Sequence, residues 1–184
     1  ENATLCLDPF HVVRWGSQAL DVVRRWIWNV LRRLGLGGQA KHLKGCRYAL
    51  WKNPEDLTDR QRTKLAWIAQ TDPRLYRAYL LKEGLRTVFK LPHAEAAEAL
   101  DRWISWARRC RIPAFVKLQR SIVKHRARIL AAIEHGLSNG LIESTNTKIR
   151  LITRMAFGFK SPAALIALAL LSLGGHRPAL PGRI

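Results

Sequence analysis

The sequence predicts a mainly α-helical fold with one short strand, and three observations lead to this prediction. Apolar residues recur at helical spacing over most of the chain. Helix-start signals are frequent: Thr58 stands three residues before Gln61 as in a capping box, and prolines follow Asp72 and Ser161. A single run of β-branched and apolar residues, at 3–7, favours one buried strand. We therefore expect one core strand and about seven helices.

The elements follow in chain order from these signals. The strand ends at Asp8-Pro9, and a helix is expected from about residue 11 to residue 34, where glycines end it. Residues 39–56 are expected to form a basic connector with a short apolar piece. Ser161-Pro162 opens a final apolar helix, which is expected to be buried in a core. The remaining helices are expected over about 58–70, 72–90, 94–110 and 113–136, and around Glu143.

Composition restricts the class of protein and its partners. The 184 residues include 32 Lys+Arg against 13 Asp+Glu, a net charge of +19, which predicts a polyanionic partner such as nucleic acid or an anionic membrane surface. An apolar content of 48% with seven Trp argues against disorder. No apolar run reaches the roughly 18 residues that span a bilayer. Three widely spaced cysteines indicate reduced, cytosolic thiols and argue against a zinc site.

The ends of the chain carry two further expectations. The sequence begins at Glu1 without an initiator Met and directly in an apolar segment, which indicates a piece of a longer polypeptide. Residues 176–184 are rich in proline and glycine, and they predict a loose tail.

The helix around Glu143 has the most distinctive polar face in the chain. At 100° per residue, Arg150 and Arg154 lie within about 20° of Glu143, and Asn146 lies about 60° away. The apolar residues of the same segment fall on the opposite side. One carboxylate beside two guanidiniums suits the binding of a metal ion or a phosphate. An ordinary solvated face is the alternative, and the pattern alone does not decide between them.

Two other groups of residues are candidates for a site. Asp8 and His11 follow the predicted strand, where open α/β sheets usually carry their sites, although Asp-Pro is also common turn chemistry. Most of the seven Trp lie on apolar stripes, which predicts core packing and leaves one or two to stack on an unpaired base. Two predicted helices carry many cations and few acids, which suits phosphate contact. The candidate DNA-binding residues are Arg24, Arg25, Arg32, Arg33, Arg120, Lys124 and Arg128.

Two separated segments carry a recognisable string of residues. The first is Leu7-Asp8-Pro9-Phe10-His11-Val12-Val13, and the second runs from Ser138-Asn139 through Glu143, Asn146 and Ile149-Arg150 to Arg154 and Phe157-Gly158-Phe159. Together they resemble the carboxyl-terminal half of a bacterial insertion-sequence transposase of the DDE class, in the ISL-three family. The resemblance covers nearly the whole chain, with shorter matches at Arg60-Gln61, at residues 75–83 and at Pro113-Ala114-Phe115.

This resemblance implies an RNase H-like core that is interrupted by an all-helical insertion. Residues 1–13 would form the last core strand and the Asp-Pro-Phe-His motif, 14–136 the insertion, 137–175 the acid-bearing helix and the final core helix, and 176–184 the tail. Glu143 matches the third acid of the DDE triad, a ligand of Mg²⁺ or Mn²⁺, and the two aspartates would precede Glu1. The implied supporting residues are Asp8, His11, Asn139, Asn146, Arg150 and Arg154. Phe157 stands where the family often has Tyr.

The implied function is metal-dependent cutting and joining of DNA during transposition. Transposon ends and target DNA would be the partners, in the cytoplasm and on the nucleoid, with a homo-oligomer in the transposition complex and no membrane. We expect the chain alone to be inactive, because one acid cannot hold a metal pair. Two alternatives stay open: a non-enzymatic, basic helical module that binds nucleic acid, and a decayed fragment with no present role.

Overall fold

The structure, a computed structural model, describes residues 4–136 and 139–173. For residues 139–143 it describes the backbone but not the side chains. The chain divides into two compact units, Glu1–Leu137 and Ser138–Ile184. The mainly α-helical prediction is confirmed. The second unit holds α9 (Asn139–Met155) and α10 (Pro162–Leu173). The first unit holds α1 to α8, which span Pro9–Arg33, Gly37–Gly45, Arg47–Trp51, Asp59–Thr71, Pro73–Val88, His93–Arg109, Pro113–Lys124 and Arg126–Glu134.

α1 is the central helix of the first unit and packs against α2, α5 and α7. It begins at Pro9 because the Asp8 carboxylate accepts a hydrogen bond from the Phe10 N–H at 2.9 Å, and because proline has no N–H to leave unpaired. One stripe at helical spacing faces the core, and burying it holds the helix in place. The buried apolar side chains of α1 are Val12, Ala19, Leu20, Val23 and Ile27.

α6 approaches α5 closely at Gly84. A Cβ atom added at Gly84 would lie 3.3 Å from Cδ1 of Trp103, so the absence of a side chain makes room for the indole. Trp103 is buried, and its Nε1–H donates to the Leu81 carbonyl oxygen at 2.7 Å. A buried indole N–H needs such a partner, and the bond fixes the position of α6 along α5.

The predicted strand at residues 3–7 is not confirmed. Residues 4–8 have no regular secondary structure, and residues 4–136 and 139–173 contain no strand with which they could pair. The Leu7 N–H instead donates to the Arg128 carbonyl oxygen at 3.0 Å, which ties this segment to α8. A strand must satisfy its backbone groups on a neighbour, and an apolar pattern alone cannot supply one. The RNase H-like core stays a prediction.

The region predicted as a connector is helical. Residues 39–56 lie mostly in α2, in α3 and in a 3₁₀ turn at Pro54–Asp56. Three apolar side chains of this region, Leu43, Cys46 and Leu50, are buried in the core. Each of these helices spans nine residues or fewer, so the helical period is hard to detect in the sequence.

The single helix predicted over 113–136 is two helices, α7 and α8. They meet at His125, which has φ −106° and ψ 10°, and whose N–H points toward the carbonyls of Ser121 and Ile122. The His125 ring lies 6.0 Å from the Trp15 ring of α1, and its Nδ1 is buried with no hydrogen-bond partner among the described residues. The apolar period continues across the break, which is why the pattern predicts one helix.

α10 is exposed in the described part of the chain. The sequence predicts it as a buried core helix, and the described residues do not bury any of its side chains, so its place in a core stays a prediction. Ile166, Leu170 and Leu171 are 57%, 66% and 52% exposed. Within this unit α10 packs against α9 alone, and one helix cannot cover a neighbour that is apolar on all sides. Among the described residues, no helix has the length and apolarity that crossing a membrane requires.

Four helices are followed by a residue in the left-handed region. The second residue after α1 is Gly35 and after α8 is Gly136, with φ of +74° and +59°. α6 and α9 differ, because the same position is held by Arg111 at φ +59° and by Phe157 at φ +50°. A residue with a Cβ atom occupies this conformation at a cost of roughly 1–2 kcal/mol. Glycine is the usual choice there, so Arg111 and Phe157 are both exceptions.

A chain of charged groups links the 3₁₀ turn to α5. Lys82 is 2% exposed; its Nζ donates to the Leu50 carbonyl oxygen at 3.0 Å and is ion-paired with the Glu83 carboxylate. Arg86 Nε donates to Glu83 Oε2 at 2.7 Å, and its two terminal nitrogens each donate to an oxygen of Glu55 at 2.9 Å. The network thus begins in the core and ends at the surface. Desolvation lowers the pKa of Lys82, and the Glu83 carboxylate partly offsets this.

We expect the Glu55→Gln chain to be less stable than the unaltered chain at neutral pH, with the difference shrinking in acid. Hydrogen bonds from Arg86 and then from Lys90 hold the pKa of the Glu55 carboxyl well below its usual 4.5. Because the folded-state pKa is the lower one, this stabilisation is present above about pH 5 and is lost as the pH falls through the folded-state value. Urea unfolding at a series of pH values measures the difference, and a constant difference from pH 7 to pH 2 would contradict this.

Candidate functional site

The predicted pair Asp8 and His11 lies at the start of α1. His11 Nδ1 is 2.7 Å from Asp8 Oδ2, while Oδ1 of the same carboxylate caps the helix. The structure therefore brings the two side chains together, as the sequence predicts. The His11 side chain is 56% exposed, so the pair is open to a further partner. A supporting role in catalysis stays a prediction.

The helix predicted around Glu143 is present as α9. The side chains of Glu143 and Asn139 lie outside the described residues, so their positions are not assigned. Asn146, Arg150 and Arg154 are exposed and, at intervals of four residues, share one face of the helix. Neither arginine forms an ion pair within the described part of the chain. The face can therefore receive an anion, and its catalytic role stays a prediction.

A metal site is not assembled within the described residues. They hold no group of three His, Cys, Asp or Glu side chains close enough to bind a metal ion. α9 itself carries a single acid, Glu143. A divalent cation that cleaves phosphodiesters needs two or three carboxylates, so these residues do not fit such an ion by themselves. Further ligands would have to come from other parts of a protein.

The arginines of α1 that were predicted to bind DNA differ in their availability. Arg24 is 9% exposed, and its Nε and Nη2 donate to Asp21 Oδ1 at 2.9 and 2.7 Å, so it is not available to a phosphate in this conformation. Arg25 is exposed but lies 3.1 Å from the other oxygen of Asp21. Arg32 is exposed with its guanidinium 4.8 Å from the centre of the Trp28 ring, and Arg33 is exposed.

The basic residues predicted on α7 and α8 are on the surface. Arg120, Lys124 and Arg128 are all exposed, and none forms an ion pair with an acid among the described residues. α7 contains no acidic residue, so its charge is not balanced along its own surface. These three side chains can therefore contact phosphates.

Two clefts at the turn between α6 and α7 are lined by basic residues. Of these residues, only Arg120 is among the candidates that the sequence predicted. The first, of about 490 Å³, is lined by Arg74 and Arg77 of α5 and by Arg111. The second, of about 520 Å³, is lined by Arg111, Lys117 and Arg120. Arg74 and Arg77 are distant from α7 in sequence, and only the fold brings them together. The available signal was an arginine at the residue after a helix cap, where glycine is usual.

The structure separates the tryptophans into two groups. Trp103 is buried, and Trp15, Trp28 and Trp67 pack against the core, which confirms the core prediction for these four. Trp26, Trp51 and Trp106 are 51%, 39% and 38% exposed. Trp51 lines a groove of about 570 Å³ together with Arg14, Gln18, Asp21 and Arg25, and the Arg47 guanidinium lies 4.0 Å from the centre of its ring.

Two of the three cysteines are buried. Cys46 and Cys110 lie in the core, Cys6 is partly exposed, and all three are free thiols. Burial raises the pKa of the Cys46 thiol, because an apolar environment disfavours the charged thiolate. Cys46 and Cys110 therefore act as small apolar groups, as the sequence predicts.

Comparison with known proteins gives the chain a family. Residues 1–169 match a family model described as transposase. The transposase for insertion sequence element IS1557 from two strains of Mycobacterium tuberculosis is 62% identical over 201 aligned residues, which cover 99% of this chain and 45% of the relative. The transposase for insertion sequence element IS1001 from Bordetella parapertussis is 29% identical over 162 residues, which cover 86% of this chain and 39% of the relative.

The matches cover different fractions of the relatives and of this chain. The chain spans less than half the length of the curated relatives it matches. No solved structure matches it. The family model, in contrast, covers 169 of the 184 residues from Glu1 onward. The chain belongs to the ISL-three family of insertion-sequence transposases.

Proposed function

We propose that this chain is the carboxyl-terminal part of a DNA transposase, which cuts and joins DNA with the help of a divalent metal ion. The observation that carries the proposal is the match over residues 1–169 to a transposase family. A net charge of +19 supports DNA as the partner. In the whole protein, transposon ends and target DNA would be bound by a homo-oligomer in the cytoplasm, on the nucleoid.

We assign the chemistry to the second unit. α9 would supply Glu143 as one acid of a DDE triad in an RNase H-like core, with Mg²⁺ or Mn²⁺ as the ion. Arg150 and Arg154, exposed on one face of that helix, would face the DNA backbone, and Asn146 would hydrogen-bond in the site. The exposed apolar side chains of α10 need a covering surface, and a core sheet would provide it. The chain by itself would lack the other acids and would not cut DNA.

We assign DNA binding to the first unit, as the helical insertion at residues 14–136. It has its own buried core and a surface rich in cations. Several of those cations, among them Arg120, Lys124 and Arg128, are exposed and without an ion pair among the described residues. Cations of this kind bind phosphates and release counterions, and the resulting affinity does not depend on a metal.

We expect the purified 184-residue chain to bind duplex DNA with an affinity that depends steeply on salt. With about six phosphates contacted, the association constant should fall by roughly a thousandfold between about 50 and 200 mM salt. Fluorescence anisotropy of a labelled duplex measures this without added Mg²⁺. A salt-independent affinity, or no binding at about 50 mM salt, would argue against DNA contact by this chain.

A non-enzymatic module that binds nucleic acid is the second candidate. It is favoured by the first unit, which forms a compact helical body with exposed cations. Both candidate functions include DNA binding, and they differ in the role of Glu143. Only a transposase requires the Glu143 carboxylate for cutting, so substituting this residue in the whole protein distinguishes the two functions.

A further inference from the structure

Arg111 occupies a position where the backbone favours glycine. It follows the cap of α6 at φ +59°, while the equivalent positions after α1 and α8 are held by Gly35 and Gly136. An arginine adopts this conformation against its stereochemical preference. Phe157 does the same after α9, so the backbone conformation alone does not mark a site. The side chain of Arg111 is exposed and lines both clefts at the turn between α6 and α7, and this position between two groups of cations is what marks it.

The Arg111 cluster, which consists of Arg74, Arg77, Arg111, Lys117 and Arg120, is a concentration of uncompensated charge. All five side chains are exposed. Among the described residues none of them forms an ion pair or a side-chain hydrogen bond. The lining of the two clefts contains a single acid, Asp72, and its Oδ1 already accepts a hydrogen bond from the Leu75 N–H at 2.8 Å to cap α5. The clefts are therefore strongly electropositive.

One helix N-terminus adds to the positive potential of the clefts. α7 begins at Pro113, which lines the second cleft, and it has neither an acid in its first turn nor a side-chain cap. The N-terminus of α5 is already capped by the Asp72 carboxylate, so it does not contribute. The positive end of the α7 dipole and five cations thus favour an anion. Arg74 is also held in place, because its guanidinium lies 4.6 Å from the centre of the Trp26 ring.

We propose that the Arg111 cluster binds the phosphodiester backbone of DNA, with Arg111 contacting phosphate from between the two clefts. The proposal rests on the proposed function for its ligand and goes beyond it by naming the site and the mode of contact. Guanidinium groups match phosphate with paired N–H donors, which suits this ligand. Arginine and lysine can contact guanine edges as well as phosphates, and we expect the phosphate mode, which is independent of base sequence, because most protein–DNA hydrogen bonds go to the backbone.

Arg111→Gly separates binding from folding. Glycine suits a φ of +59°, so the variant should melt at the same temperature as the unaltered chain or higher. Its affinity for duplex DNA at about 50 mM salt should fall roughly tenfold, and the slope of log K against log salt should decrease by about one. The loss should be equal for a random duplex and for a duplex of the transposon end. Anisotropy titrations of the full 184-residue chain with the two duplexes at several salt concentrations measure the affinity and the slope, and thermal unfolding followed by circular dichroism measures the melting temperature.

Two further variants serve as controls. Arg111→Lys keeps the charge at the same backbone conformation and should retain most of the affinity. Arg102→Gln removes one charge from α6 at a side chain that already pairs with Glu98, so its affinity should stay within about twofold. If Arg111→Gly binds as tightly as the unaltered chain, the cluster is not a phosphate site, although the proposed function survives.

Other outcomes separate the two proposals. If the unaltered chain does not bind DNA at about 50 mM salt, both proposals fail. If Arg111→Gly instead reduces binding to vesicles of anionic phospholipid and leaves DNA binding intact, the site takes a lipid headgroup and the DNA proposal is wrong. If the loss appears only with the transposon end, the contact reads base sequence, and the backbone mode is wrong.

Discussion

The Glu83→Ala chain should unfold with a free energy about 3 kcal/mol lower than that of the unaltered chain. Glu83 is 9% exposed, and its carboxylate is the charged partner of Lys82, which is 2% exposed. Removing the carboxylate leaves an ammonium group in the core with only the Leu50 carbonyl oxygen and the face of the Tyr79 ring beside it. An unpaired buried charge is among the most destabilising changes a fold can undergo. Urea unfolding followed by circular dichroism measures the loss.

The double variant Lys82→Met with Glu83→Gln is the matched control. It removes both charges and keeps the volume, so no charge is left without a partner, and glutamine can still accept from Arg86 Nε. We expect it to be more stable than Glu83→Ala alone. If the double variant loses as much as the single one, the shape of these side chains matters more than their charge.

Local signals in the sequence predicted the ends of several helices correctly. The capping box is present, since the Gln61 N–H lies 3.4 Å from Thr58 Oγ1 and the Thr58 N–H lies 3.0 Å from Gln61 Oε1. Asp72 caps α5 as expected. Such signals depend on groups within three residues of one another, so the fold cannot easily override them.

Features that depend on distant partners were not predictable in the same way. α10 has the composition of a core helix, but its burial depends on a surface that the described residues do not supply. The run at residues 3–7 looks like a strand, yet a strand exists only with a neighbour. α7 and α8 share one apolar period, and the break at His125 leaves it unchanged.

The candidate site also has parts that local spacing predicts and parts that depend on the fold. The face of α9 with Arg150 and Arg154 follows from helical spacing, and the structure contains that helix. Arg24 is buried because of the way α1 packs, which the sequence does not show. Its ion pair with Asp21, three residues before it, could have been predicted from the spacing. The Arg111 cluster joins α5 to α7 and needed the fold itself.

A whole transposase that carries this chain should lose DNA cutting when Glu143 is replaced by glutamine. Glu143 is the only acid on α9, and the proposed function gives it a charge-dependent role that an amide of the same shape cannot fill. We expect cleavage of a transposon-end duplex to fall by at least about a thousandfold, which corresponds to about 4 kcal/mol in the barrier. DNA binding should be unchanged or tighter, because a carboxylate repels phosphate. Gel analysis of strand cleavage and anisotropy measure the two effects.

Glu134→Gln is the control that tests whether the effect belongs to Glu143. Glu134 is an exposed acid at the end of α8, 3.9 Å from His93, and the proposed mechanism gives it no role. Its loss should leave cleavage within about twofold, in keeping with a weak surface pair. Equal losses in the two variants would remove Glu143 from the chemistry, as would Mg²⁺-dependent nicking by the 184-residue chain that survives Glu143→Gln. Equal losses would favour a DNA-binding role for the polar face of α9, whereas nicking that survives Glu143→Gln would assign the cutting to other residues of this chain.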